Sequence, residues 1–472
     1  MRRFYLLLLF SGIVLRFIIQ FIYPTFNVDE ISLGNNIKYS DFIDLLYPLQ
    51  YGQSSPPLYL WLQKLIITVS PLSFWINIKV LSFISSILGL MLFYLFIKKN
   101  DHKISLLLPF IILLFNPFNI NNSLTVKQYT IDLVGILFLL VYFKSGWFKR
   151  YNWIFFLIWC LMSNVGLFAC VAYLIYDFIN QKKAIRFTNI INYIKENILT
   201  IVAPLTYVIY FIWYMKQKGA LEMKAFMVNY WYDSFIPINS NIFKYLIYTF
   251  HSLWIFLFNA FEFWGIFLML LTIPFYIFLK RKETLFKQEI QLLFYVLAIH
   301  LLLNILHLYP FSDRLYLYLS PIYILILGSS ISAISKNRKI EKYFLTLNIF
   351  ISVITMFLYS LYIPSNDNDI VRLYTRLDAL QTNAFYLTEK SMNCVDSFND
   401  FTDNKFQHKN NFIIIDSTLE KSKYLISRVS KKIKMNVTAP EEIGVQNLIK
   451  KKKINKIDAV NGYNIYEIIK NK

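Results

Sequence analysis

The sequence predicts a polytopic α-helical membrane protein with about 11 to 13 transmembrane or re-entrant helices and a small C-terminal α/β domain outside the cytoplasm. Three observations predict it. Of the 472 residues, 57% are hydrophobic and 16% charged, whereas a soluble globular chain is about 45–50% apolar and about 25% charged. The apolar residues fall in stretches long enough to span a bilayer as helices and lack the alternation of barrel strands. The 48 Lys and Arg outnumber the 28 Asp and Glu, a formal charge of +20, and they sit in short runs between apolar stretches, as cytoplasmic loops do. With 44 Phe and 34 Tyr the chain has ample surface to bury, which excludes disorder. Nucleic-acid binding would need cations gathered on a soluble face, and this pattern has none. Cys160, Cys170 and Cys394 suggest no disulfide pair.

The first span, residues 4–23, follows Arg2 and Arg3. Arg16 interrupts it and no small-residue cleavage site follows, so it reads as an uncleaved helix with a cytoplasmic N-terminus. An intramembrane charge points to a functional or paired position, and a structural ion pair is the favoured reading of Arg16. A second span, 74–97, returns to Lys98, Lys99 and Lys103, which leaves residues 24–73 as an outer loop. Spans at 104–118 and 126–143 end at Lys144, Lys149 and Arg150. The stretch 153–177 has basic residues on both sides, so a hairpin of two helices breaking near Ser163, Asn164 and Gly166 keeps both clusters inside. Further spans are expected at 198–215, 261–279, 290–307, 315–333 and 343–362, with an interfacial amphipathic helix at 242–258. Their cytoplasmic marks are Lys280, Arg281, Lys282, Lys336, Arg338 and Lys339. Residues 1–362 thus form the membrane domain and 363–472 the outer one. In the latter, 411–416 and 463–469 read as strands, 417–430 has helical spacing, and the Lys450–Lys453 run reads as a solvated surface.

Polar candidates gather in the outer loops. The first loop begins Phe26-Asn27-Val28-Asp29-Glu30 and ends Gln53-Ser54-Ser55-Pro56-Pro57-Leu58-Tyr59. Adjacent carboxylates at a membrane boundary face water or a cavity, and a Pro-Pro step opens a helix. The second outer turn reads Val126-Lys127-Gln128-Tyr129-Thr130-Ile131-Asp132. Tyr309-Pro310-Phe311-Ser312-Asp313-Arg314 precedes a late span. An acidic pair after helix one followed by Pro-Pro-Leu-Tyr, together with these two segments, resembles the protein O-mannosyltransferase and aminoarabinose transferase group of type C (GT-C) glycosyltransferases.

That resemblance covers roughly residues 1–362. It implies an inner (plasma) membrane enzyme that moves a sugar, with inversion, from a polyprenyl-phosphate donor to an acceptor outside the cytoplasm. The acceptor would be a lipid, a glycan or a protein hydroxyl, with membrane lipid as the surroundings and no nucleic acid as partner. Such a reaction needs a base for the acceptor proton and cations for the departing phosphate. By carry-over Asp29 is the base, and Glu30 assists it, orients the acceptor or contributes to a cation site. Lys127 and Arg314 are the donor-phosphate cations, against the plainer reading that each snorkels to the interface. Gln53, Pro56, Tyr59, Tyr129, His307, Tyr309 and Asp313 complete the candidate substrate-binding set; Asp313 also reads as a partner for Arg314, and His307 as a satisfied helix-end residue. Gln53-Ser54-Ser55 stands where many relatives place a His or a Glu-Lys pair, and neutral Gln is a poor transition-metal ligand. No cofactor is therefore required by the residues, and a divalent cation stays open. The alternative class, a transporter or flippase of lipid-linked saccharide, would place its polar residues near the midplane in broken helices.

Overall fold

The computed structural model describes most of residues 2–250 and 286–334, together with strands at 386–387, 413–414, 424–428, 454–460 and 463–468. The expected spans 261–279 and 343–362 lie outside the described residues, as do the basic runs at 280–282, 336–339 and 450–453, most of the interfacial helix 242–258, and Cys394.

The described membrane part is helical. α1 (Arg2–Phe17) continues into a π-helical turn, Ile18–Ile22. α2 (Val28–Tyr39) and α3 (Pro57–Val69) lie in the first loop, and α4 (Phe74–Lys99) follows. Then come α5 (Leu107–Phe115), α6 (Pro117–Leu124), α7 (Tyr129–Tyr142), α8 (Gly146–Met162), α9 (Asn164–Asn180), α10 (Phe187–Glu196), α11 (Ile198–Met215) and α12 (Ala220–Tyr230). α13 (Lys287–Ile305), a 3₁₀ helix (Asp313–Leu319) and α14 (Ser320–Ile334) close the described membrane part. Among the described residues four helices, Arg2–Phe21, Phe74–Lys99, Ile198–Met215 and Lys287–Ile305, are long and apolar enough to cross a membrane.

Side-chain exposure identifies the solvent. On α1 the exposed side includes Leu6, Leu7, Phe10, Val14 and Phe17; on α11 it includes Leu199, Val202, Leu205, Ile209 and Ile212. Each set recurs at helical spacing, giving a continuous apolar stripe that a water-soluble monomer would not show. The opposite side of α1 buries Tyr5, Leu8, Gly12 and Arg16. Close packing there uses small residues: a Cβ on Gly12 would strike Leu114, and one on Gly135 of α7 would strike the Trp159 indole of α8.

The third span is broken, and the break accounts for Arg16. Pro117 opens α6 and has no N–H to give the Leu113 carbonyl, so the helix ladder fails there. Water cannot satisfy the freed carbonyls in the bundle interior. The Arg16 guanidinium does: it donates to Leu114 O at 2.9 Å, Leu113 O at 3.1 Å and Gly12 O at 3.2 Å, and its Nε donates to the Ser86 hydroxyl at 2.7 Å. Asn119 donates to Ile112 O at 3.4 Å. The ion pair expected of Arg16 is not among these contacts; its guanidinium instead serves main-chain carbonyls at a helix end, where the macrodipole also favours a cation.

The hairpin breaks at Ser163, as its polar sequence suggests. Ser163 has extended backbone, ends α8, and caps α9 by accepting the Val165 N–H at 3.0 Å. The chain turns back so tightly that a Cβ on Gly166 would lie 2.7 Å from the Trp159 and Cys160 backbone.

Contacts sort the helix ends into two faces. At one, Tyr5 OH donates to Lys103 O at 2.9 Å, Lys99 Nζ to Val141 O at 2.8 Å, and Lys144 pairs with Glu289 at 2.7 Å. The other joins the 24–73 loop to the α6–α7 turn and to the end of α11, where Tyr210 OH donates to Leu46 O at 3.2 Å. The hairpin corner reaches toward this second face, since Asn164 accepts from Tyr207 OH on α11. The basic runs at 98–103 and 144–150 fall on the first face, as the sequence alternation requires.

After residue 385 the described strands, β1 (Tyr386–Leu387), β2 (Ile413–Ile414), β3 (Tyr424–Arg428), β4 (Ile454–Val460) and β5 (Tyr463–Ile468), form one sheet in the order β2-β1-β3-β5-β4. β1 is parallel to β2 and β3; β5 runs antiparallel to β3 and β4. β2 and β5 fall within the strands read from the sequence at 411–416 and 463–469. The helix read over 417–430 does not: Tyr424–Arg428 is a strand. Its Leu425 and Ile426 sit opposite Tyr466 and Ile465, and such cross-strand pairs outweigh the weak periodicity of a short apolar run.

Candidate active site

The second face collects most of the polar candidates. α2 begins at Val28, so Asp29 and Glu30 occupy its first turn, where the helix N-terminus stabilises carboxylates. Lys64 holds the other end of α2, donating to the Ile37 and Lys38 carbonyls at 3.0 and 3.1 Å. Burial lowers the pKa of the Lys64 ammonium, and the Asp41 carboxylate opposes that shift. The two acids differ in their surroundings. Asp29 is half-buried. Glu30 is buried, 1% exposed, and its Oε1 accepts the Val126 N–H at 2.8 Å. Glu30 therefore fastens the start of α2 to the α6–α7 turn.

Three more bonds fix that turn. Ser82 of α4 donates to Thr125 O at 2.8 Å. Lys127 Nζ donates to Gln53 Oε1 at 2.5 Å, and the Ser55 hydroxyl donates to Gln128 Oε1 at 3.2 Å. Gln53 and Ser55 lead into Pro56, extended at φ −61° and ψ 145°, and Pro57 supplies the first residue of α3, a position where its missing N–H costs nothing. The helix then buries Tyr59, whose hydroxyl accepts from Gln63 Nε2 at 3.1 Å. Burial first, then the Glu30 and Tyr129 charges, push the Tyr59 hydroxyl far above the usual phenol range, while the Gln63 and Ser82 hydrogen bonds oppose them. Glu30, Gln53, Pro56, Tyr59, Lys127 and Tyr129 thus converge where α2, α3, α4 and α7 meet.

Sequence reasoning missed Lys79. It is 3% exposed on the first turns of α4, with Nζ 4.1 Å from the centre of the Phe26 ring, a cation–π placement beside the segment that leads to Asp29. Its signal was a lysine near the outer start of an apolar span, where the positive-inside bias gives no reason for one.

A second set lies beyond α7. Asn304, fully buried on α13, accepts the Ile236 N–H at 2.9 Å and donates to Ser234 O at 2.7 Å and Tyr309 O at 3.3 Å. His307, left-handed at φ +54°, donates from Nε2 to Ile236 O at 3.0 Å, so it is a satisfied helix-end residue. Tyr309 is buried with its ring centre 4.9 Å from that of Phe168. Burial, then Asp132, Tyr318, Tyr129 and Tyr207, hold its hydroxyl well above the ordinary phenol range. Tyr309 thus joins this loop to α9 through Phe168 and to α13 through His300. The following 3₁₀ helix packs on α6 and α7 and contains Asp313 and Arg314, whose side chains lie outside the described residues. Among the described residues no group of three His, Cys, Asp or Glu could hold a metal ion.

Fold and site together define a polytopic helical membrane protein with carboxylates and cations gathered at one set of helix ends. Among solved structures the chain is similar to ArnT from Cupriavidus metallidurans bound to undecaprenyl phosphate, over 98% of this chain and 97% of that one, with a TM-score of 0.51 and 8% identity. The likeness is one of fold. No protein-family model matches the chain, and no curated protein does.

Proposed function

We propose that the chain is an integral membrane glycosyltransferase that moves a sugar from a polyprenyl-phosphate donor to an acceptor outside the cytoplasm, with inversion. The observation that carries this reading is the convergence of Asp29, Glu30, Gln53, Lys127 and Tyr129 at one face of an ArnT-like fold. In this reading Asp29 takes the acceptor proton as the acceptor oxygen attacks the anomeric carbon. The bond from that carbon to the phosphate oxygen breaks, and charge grows on the departing polyprenyl phosphate. Lys127, with Arg314, stabilises that charge. Glu30 and Gln53 hold the base and the ammonium in register, and Lys79 adds a buried positive charge near the acidic pair. The break before Pro117 supports an enzyme over a transporter, since the Leu113 and Leu114 carbonyls there accept from Arg16.

Purified protein in proteoliposomes is expected to move radiolabel covalently from an undecaprenyl-phosphate sugar to an envelope acceptor. Label that crosses the bilayer while still on its lipid would replace the enzyme reading with transport.

The same reading puts the basic face in the cytoplasm and the C-terminal segment outside. Gly146, exposed with nothing within 4 Å of an added Cβ, accepts a cysteine without strain. In a Cys394→Ser background, where the described cysteines Cys160 and Cys170 are buried, Gly146→Cys should resist an impermeant thiol reagent on intact cells and react after permeabilisation. Labelling on intact cells would reverse the orientation.

A further inference from the structure

Asp132 is a buried carboxyl that the proposed reaction does not use. It is 2% exposed in the first turn of α7. A carboxylate can accept about four hydrogen bonds, yet among the described residues Asp132 has one, from the Ser163 hydroxyl at the hairpin corner. Ser163 is itself committed, since its oxygen also caps α9. An ionisable side chain inside the membrane is by default a candidate functional position.

Its surroundings narrow the ligand class. Tyr129 shares the first turn of α7, the 3₁₀ helix that carries Tyr318 packs on α7, and Tyr318 bonds the buried His300 ring, which stands edge-on to Tyr309. Phe168 packs edge-on against Tyr309. An acid among aromatic rings suits a sugar, whose C–H faces lie on rings while its hydroxyls donate to the carboxylate. The place is also suitable: Asp132 lies about one helical turn, roughly 5 Å, past the turn that carries Lys127. A ring joined to a phosphate held at Lys127 would reach it.

We propose that Asp132 binds the sugar ring of the lipid-linked donor by accepting hydrogen bonds from its hydroxyls. This rests on the proposed glycosyltransferase reading. It differs from that reading in assigning recognition of the sugar, separate from recognition of the lipid phosphate, to a named residue below the outer turn.

The test measures affinity of the full-length protein in nanodiscs for undecaprenyl phosphate and for undecaprenyl phosphate carrying each of a panel of neutral hexoses and pentoses. Wild type is expected to prefer at least one sugar-bearing lipid over the bare lipid. Asp132→Asn should cut that preference at least tenfold while changing affinity for the bare lipid less than threefold. Ser163→Ala, which removes the staple but keeps the carboxyl, should cost the preference less than Asp132→Asn. The inference is overturned if wild type prefers no sugar-bearing lipid, if Asp132→Asn keeps the preference, if it weakens both lipids equally, or if Ser163→Ala costs as much. Failure of wild type to bind undecaprenyl phosphate at all would overturn the glycosyltransferase reading as well, which separates the two failures.

Discussion

Asp29→Asn is expected to lower the rate of sugar transfer by about 100- to 10,000-fold, the usual contribution of a positioned general base. Expression and membrane insertion should not change. The substitution keeps the shape of the side chain and removes its basicity, and Asn is well tolerated in the first turn of a helix. The structure separates Asp29 from its neighbour. Glu30 spends an oxygen on the Val126 N–H deep in the protein, whereas Asp29 is half-buried and so within reach of an acceptor from outside. Glu30→Gln keeps an acceptor oxygen for Val126 and should therefore cost much less than Asp29→Asn. Single-turnover transfer from a radiolabelled polyprenyl-phosphate sugar measures both. Full turnover by Asp29→Asn would remove Asp29 from the mechanism, and the reverse order of effects would move the base to Glu30.

Much of this arrangement was legible in the chain because bilayer physics leaves few choices. Spans at 74–97 and 198–215 are fixed by length, hydropathy and flanking charge, and α4 and α11 follow them closely. The break at Ser163 was readable because a polar Ser-Asn pair between two basic flanks can only be reconciled with a turn. The convergence of Gln53 with Lys127, 74 positions apart, had weaker support, since it depends on how α3, α4 and α7 pack. What was not legible follows from long-range chemistry. Arg16 reads as an isolated charge until Pro117 is seen to free the Leu113 carbonyl against it. Lys79 looks like one more lysine until Phe26 is found beneath its ammonium. The strand at Tyr424–Arg428 depends on a partner about 40 residues later, and no local period reveals it.

Lys127→Met should weaken donor binding by about 10- to 150-fold, corresponding to the roughly 1.5–3 kcal/mol of a hydrogen bond to a charged group. The difficulty is that Lys127 also holds Gln53, and an unpaired buried Gln oxygen costs about 1–3 kcal/mol by itself. Stability alone therefore cannot distinguish a phosphate ligand from a staple. Charge can. Lys127→Arg keeps the cation and should retain most of the donor affinity, while Gln53→Leu removes the partner, keeps the ammonium, and should lower the melting temperature more than it lowers affinity for undecaprenyl phosphate. Added salt should weaken the wild-type complex modestly, because Lys127 is buried and its attraction for phosphate is only partly screened, and should have still less effect on Lys127→Met. If Lys127→Met and Gln53→Leu lose affinity and stability in the same proportion, and salt acts alike on wild type and Lys127→Met, the ammonium is a structural pin between the outer loop and α7. The donor phosphate would then have to be held by other cations, with Arg314 and the buried Lys79 as the next to substitute.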